Sequence, residues 1–127
     1  MTRSSKQRYI AFMAQGGLCY YCAQPMWLVD RNTFAERHGL SGRQALQFQC
    51  TAEHLQPRSL GGTLCVGNIA AACLCCNQRR GRLGEPEDPD VFRRRVQKRC
   101  KVNKWHSCFP VGAPNNSFKP KPLRGSA

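Results

Sequence analysis

The chain has 127 residues, with 20 lysines and arginines against 7 acidic residues and a formal net charge of +13. That length suits one domain and is too short for two independent cores, and nothing in it resembles the run of ~20 apolar residues that crosses a bilayer. Positive charge on this scale attracts polyanions, of which nucleic acid is the commonest inside a cell, so nucleic acid is the expected partner and a membrane is not.

Nine cysteines in so short a chain raise the possibility of a secreted disulfide scaffold. The sequence argues against it in three ways. The opening MTRSSKQRYI leads into no apolar signal segment, the cysteine count is odd, and four cysteines fall into two Cys-x-x-Cys pairs, Cys19/Cys22 and Cys73/Cys76. Paired thiols at that spacing converge on a soft tetrahedral ion, so a structural zinc held by Cys19, Cys22, Cys73 and Cys76 is expected. The corresponding setting is reducing, hence intracellular and cytoplasmic. A thioredoxin-like redox pair would need a βαβ context that this pattern lacks.

In chain order, residues 4–15 read as a helix capped by Ser4 or Ser5, with Tyr9 and Met13 on a packing face and Gly16-Gly17 ending it. Residues 25–29 have strand character. The stretch 30–46 reads as an insertion of two short helical turns, one ending at Gly39 and one capped by Ser41; His38 stands alone in it and is not a ligand. Leu46, Phe48 and Cys50 alternate with polar neighbours, which predicts a strand over 46–59. Gly61-Gly62 turns the chain, 63–66 returns as a second strand, and Gly67-Asn68 opens a helix of good formers over 69–80 that stops at Gly81.

On such a helix Cys73 and Cys76 share a face, while Asn77 is rotated about 100° further round. Cys50, Cys65 and Cys75 are expected as small buried hydrophobes. Asp88 and Pro89 start a last helix whose apolar stripe is Phe92, Val96 and Cys100, with Arg93, Arg94, Lys98 and Lys101 on its other faces. His106 with Cys100 and Cys108 has poor spacing for a second zinc site. One domain over 1–108 and a flexible basic tail over 109–127 complete the expectation.

The residues from Gly16 to Gly81, and above all Glu53-His54, Gly61-Gly62, Asn68 and Cys73-x-x-Cys76-Asn77, resemble the HNH endonuclease motif, with Cys19-x-x-Cys22 as the other half of its zinc knuckle. The chain departs from the usual pattern in having Glu53 for the commoner Asp, Asn77 where many members have His, and a longer segment after Cys22. The resemblance implies an α+β fold: a small, treble-clef-like ββα-metal domain with a structural zinc knuckle and flanking helices. It implies a metal-dependent DNA endonuclease that hydrolyses phosphodiester bonds. His54 would be the general base, Glu53 and Asn77 would hold one divalent ion, most simply Mg2+, and Asn68 would brace the hairpin and orient His54, or else serve as a helix N-cap. The competing reading is a zinc-stabilised nucleic-acid-binding module without cleavage activity; a third is a zinc-bearing structural subunit of a phage or recombination complex.

Overall fold

The computed structural model describes residues 2–57 and 60–112. Positions 58–59 of the expected first strand and 113–127 of the expected tail lie outside them. The elements are α1 (Arg3–Ala14), α2 (Arg31–Arg37), α3 (Gly42–Leu46), β1 (Cys50–His54), β2 (Ile69–Cys73), α4 (Leu74–Gly81) and α5 (Pro89–Lys101). β1 and β2 form a two-stranded antiparallel sheet with Cys50 opposite Cys73 and His54 opposite Ile69. With α4 following β2 directly, this is the α+β, ββα arrangement that the resemblance implies, flanked by helices and carrying a four-cysteine cluster.

The second strand is not where the sequence pattern puts it. Residues 63–66 are not a strand, and IAAAC, read above as the first half of a helix, is β2. Alanine is the best helix former, yet propensity is worth only tenths of a kcal/mol per residue and tertiary context overrides it. Ala70, Ala71 and Ala72 are all fully buried, with α1 packed on both strands, and only small side chains fit so close an approach. The edge of β2 is closed by a side chain: Gln15 donates through Nε2 to the Ala71 carbonyl at 2.9 Å and accepts from the Ala71 amide at 3.0 Å. Tyr20 adds its own amide to the same carbonyl at 2.9 Å. A buried strand edge thereby keeps its polar groups paired.

Helix α1 is capped by Thr2, whose hydroxyl accepts from the Ser5 amide at 3.0 Å, rather than by Ser4 or Ser5 themselves. Its inner face carries Ala11 and Gln15; Tyr9 and Met13, expected to pack, are 48% and 57% exposed. Residues 25–29 form only isolated bridges, Leu18 to Pro25 and Trp27 to Gln49. In the insertion, Asp30 caps α2 and Ser41 caps α3 in a reciprocal box with Gln44. Phe34, Ala35, Ala45 and Phe48 bury a small second cluster beneath it. Asp88 caps α5, Pro89 opens it, and Phe92, Val96 and Cys100 face the main core as the stripe predicts. Of the expected tail, residues 109–112 are described, and Val111 there pairs with His38 through the His38 carbonyl and Nδ1, both at 2.9 Å.

Candidate active site and metal centre

Cys19 and Cys22 sit in a tight knuckle closed by bonds from the Cys19 amide to the Gln24 carbonyl and from the Ala23 amide to the Cys19 carbonyl, with Ala23 in the left-handed region. Cys73 ends β2 and is the N-cap of α4, and Cys76 lies in the first turn. The two therefore do not share a continuous helix, and it is the strand-to-helix corner that brings them together. All four sulfurs lie within 4.8 Å of one another, fully enclosed. Backbone amides of Tyr21 and Cys73 point at Cys19 Sγ (3.4 and 3.3 Å), the Cys76 amide points at Cys73 Sγ (3.4 Å), and the Trp105 indole N–H points at Cys76 Sγ (3.3 Å).

Burial pushes the thiols of Cys22, Cys73 and Cys76 up; at Cys19, hydrogen bonds from the other three outweigh burial and hold the thiol well below its ordinary value. Four buried sulfurs with N–H donors aimed at them are a donor set for a soft dication, and they fit zinc. Among the described residues no other group of His, Cys, Asp and Glu is gathered in this way, so Cys100, Cys108 and His106 form no second centre. Cys50 is buried and its thiol is pushed up to about 12 by burial, as befits a small hydrophobe. Cys75 is half-buried and Cys65 is exposed, against expectation, because its loop runs outside the sheet.

On the other side of α4 is a cavity of about 370 Å³ lined by Glu53, His54, Pro57, Asn77, Arg80, Gly81, Leu83, Gly84 and Pro86. Strand and helix periodicity together build it. Thr51 and Glu53, two apart on β1, project from one face; Asn77 and Arg80, three apart on α4, meet them. Thr51 donates its hydroxyl proton to the Ala72 carbonyl at 2.6 Å, so only its lone pairs face Asn77, which donates Nδ2 to them at 2.9 Å. This bond fixes the amide's orientation and leaves Oδ1 as the free acceptor.

Glu53 is 6% exposed, and its Oε2 accepts from the Tyr21 hydroxyl at 3.0 Å and from Arg80 Nη1 at 3.3 Å. Burial raises its carboxyl above the ordinary value, while Arg80 and Tyr21 pull the other way. Arg80 is itself buried and also donates to the carbonyls of His54, Leu55 and Glu87, locking the end of β1 to the segment before α5. The insertion contributes nothing to the cavity lining.

Asn68 lies in a 3-10 turn over Val66–Asn68 and does not cap α4, whose cap is Cys73. Its side chain ties the loop after His54 together: Oδ1 accepts from the Gln56 amide at 2.8 Å, and Nδ2 donates to the carbonyls of Gln56 at 3.1 Å and Thr63 at 2.8 Å. The same loop needs a glycine at position 62, where a Cβ would meet the Gln56 carbonyl oxygen at 1.7 Å. Arg80 and Tyr21 were not singled out by sequence reasoning. The signal for Arg80 was its position one turn beyond Asn77; for Tyr21 nothing but its place inside the Cys-x-x-Cys pair distinguished it.

The arrangement of β1, β2 and α4 coincides with a family assignment. Residues 41–83 match the family model for the HNH endonuclease. Over that segment the chain is similar to the HNH family. The segment holds the insertion's second helix, both strands and α4, with Glu53, His54, Asn68, Cys73, Cys76 and Asn77 inside it and Cys19 and Cys22 upstream. No curated protein and no solved structure matches the chain. The match points to a nuclease-type or metal-binding, DNA-related class. No helix among the described residues is long and apolar enough to cross a membrane.

Proposed function

We propose that this protein is a metal-dependent DNA endonuclease that hydrolyses phosphodiester bonds in the cavity between β1 and α4. The observation that carries this reading is that Glu53, His54 and Asn77, from two different elements, line one cavity and lie inside the segment similar to the HNH family. Hard oxygen donors suit a hard cation, and Asn77 Oδ1 together with the Glu53 carboxylate would hold Mg2+ or a similar divalent ion. When bound, that ion offsets negative charge on the phosphate and on the leaving oxygen. His54 takes the proton of a water whose oxygen attacks phosphorus, as the bond from phosphorus to the leaving oxygen breaks. A neutral imidazole suits that task near cellular pH. Asn68 holds the loop that follows His54, and Arg80, bonded to the His54 carbonyl, fixes the end of the strand.

One observation favours the rival, a zinc-stabilised nucleic-acid-binding module. Arg80 already offsets the charge of Glu53, so the site attracts a cation less than a lone carboxylate would. Plasmid nicking by the purified, zinc-loaded protein separates the two. With Mg2+ the endonuclease reading expects nicked and linear products, abolished by chelation of the added Mg2+; no cleavage of any DNA form, with binding intact, favours the module. In either case the +13 charge predicts affinity that falls steeply with salt, by a log–log slope of about 0.9 per phosphate contact. The four-cysteine cluster and five further cysteines without a disulfide accord with a reducing, cytoplasmic setting.

A further inference from the structure

Tyr21 lies between the two upstream cysteines, and it touches both sites. Its amide points at Cys19 Sγ at 3.4 Å, and its hydroxyl donates to Glu53 Oε2 at 3.0 Å. The residue has no exposed surface and is held on several sides. Its ring meets Tyr20 and Phe92 edge-on at 5.2 and 4.9 Å, and its carbonyl accepts from Gln97 of α5 at 3.2 Å. Where the hydroxyl sits is thus decided by the knuckle and by α5, not by Glu53.

Both contacts to the Glu53 carboxylate, from Tyr21 and from Arg80, fall on the same oxygen. Two fixed donors on Oε2 set the plane of the carboxylate and leave Oε1 as the atom available to a ligand in the cavity. Arg80 comes from α4, whose first turn supplies Cys76 and whose cap is Cys73; Tyr21 comes from the loop that supplies Cys19 and Cys22. Each half of the cysteine cluster therefore delivers one of the two donors.

We propose that Tyr21 is a positioning residue that couples the four-cysteine cluster to Glu53, so that the order imposed by zinc fixes the carboxylate that takes the working cation. The proposal rests on the reading of Glu53 as a cation ligand. Its cost when removed follows from the general behaviour of groups that orient metal ligands, whose loss weakens metal binding about ten- to a hundredfold.

The test uses the full chain loaded with zinc, without DNA. Mn2+ binding is measured by the loss of its free-ion electron paramagnetic resonance signal for wild type, Tyr21→Phe and Glu53→Gln, alongside zinc content. Tyr21→Phe keeps the ring and removes only the hydroxyl. The expected result is one zinc per chain in all three, wild type binding Mn2+, Tyr21→Phe binding it about ten- to a hundredfold more weakly, and Glu53→Gln losing it. Equal Mn2+ affinity in wild type and Tyr21→Phe, with Glu53→Gln still defective, overturns the coupling and leaves the cation site standing. A Tyr21→Phe protein that loses zinc assigns the hydroxyl to the fold and also overturns it. If wild type binds no Mn2+, or Glu53→Gln binds it as well as wild type, Glu53 is not a cation ligand and both readings fall.

Discussion

Arg80 and Glu53 form an ion pair at 3.3 Å with side chains only 4% and 8% exposed, at the junction of helix α4 and the end of β1. Removing one partner of a buried pair strands the other, which typically costs about 3–5 kcal/mol. Arg80→Met is therefore expected to be strongly destabilised, and Arg80→Lys, which keeps the charge but not the fork that reaches three carbonyls, to fall between. The effect depends on pH. Burial already raises the Glu53 carboxyl, and losing Arg80 raises it further. A raised folded-state value means the native protein binds the proton more tightly, so stability is greater in acid and declines as pH rises through that value. The deficit of Arg80→Met relative to wild type should narrow as pH falls, measured by urea unfolding across a pH series. A deficit independent of pH would remove the carboxylate from the explanation.

Cys73 offers a substitution that separates metal binding from helix capping. Its sulfur accepts from the Cys76 amide as the N-cap of α4, and serine caps helices well. Cys73→Ser should keep the cap and lose a soft ligand. Zinc binding in small domains contributes on the order of 10 kcal/mol to folding, so the variant is expected to lose zinc and cooperative unfolding together. Elemental analysis and thermal denaturation check this; a zinc-free variant that unfolds like wild type would refute it.

His54 and Asn77 share a cavity but have different assigned work. His54→Ala should reduce plasmid nicking by about a hundred- to ten-thousandfold, the usual cost of losing a general base, with no recovery as Mg2+ is raised. Asn77→Ala should recover part of its activity at high Mg2+, since its defect is in holding the cation. A magnesium titration of both variants is decisive, and equal cutting by His54→Ala and wild type ends the general-base assignment. Glu53→Gln is preferable to Glu53→Ala as a third variant because it keeps an acceptor for the buried Arg80.

His106 makes the acid limb of stability measurable. It is 4% exposed, bonded through Nδ1 to Gln47 Oε1 at 2.7 Å and packed on Phe48, and burial lowers its imidazole from 6.5 to about 4. The unfolded chain then binds the proton more readily than the native one between those values. Stability that is complete above pH 6.5 is lost as pH falls towards 4, by at most about 3 kcal/mol. His106→Phe forfeits the Gln47 bond at every pH but should show a flatter profile over that interval. Chemical denaturation at pH 7.5, 6, 5 and 4.5 compares the slopes, and parallel profiles would show that His106 is not the titrating group.

The sequence by itself determined whatever depends on short-range spacing. Two Cys-x-x-Cys pairs predict one four-sulfur cluster because each brings two thiols to a single point, wherever the backbone between them runs. Asp88-Pro89 and the four-residue recurrence of Phe92, Val96 and Cys100 specify α5 for the same local reason. The adjacency of Glu53 and His54 on a strand was legible too, although the expected strand over 46–59 ran past His54, where β1 ends. What lay beyond local rules was left to the tertiary structure. IAAAC has helical propensity and strand geometry because its partner β1 and the close face of α1 reward a buried strand of small residues more than propensity rewards a helix. The displaced strand moves Cys73 from mid-helix to helix cap and, of the two roles read for Asn68, leaves no helix start for it to cap. Tyr21, Arg80 and Trp105 gain their roles only through contacts between residues 27 to 32 positions apart, joining Glu53 to the knuckle and to α4, and Cys76 to the chain beyond α5. No pattern within one element encodes such contacts; they exist once burial has packed the elements together and every enclosed polar group has had to find a partner.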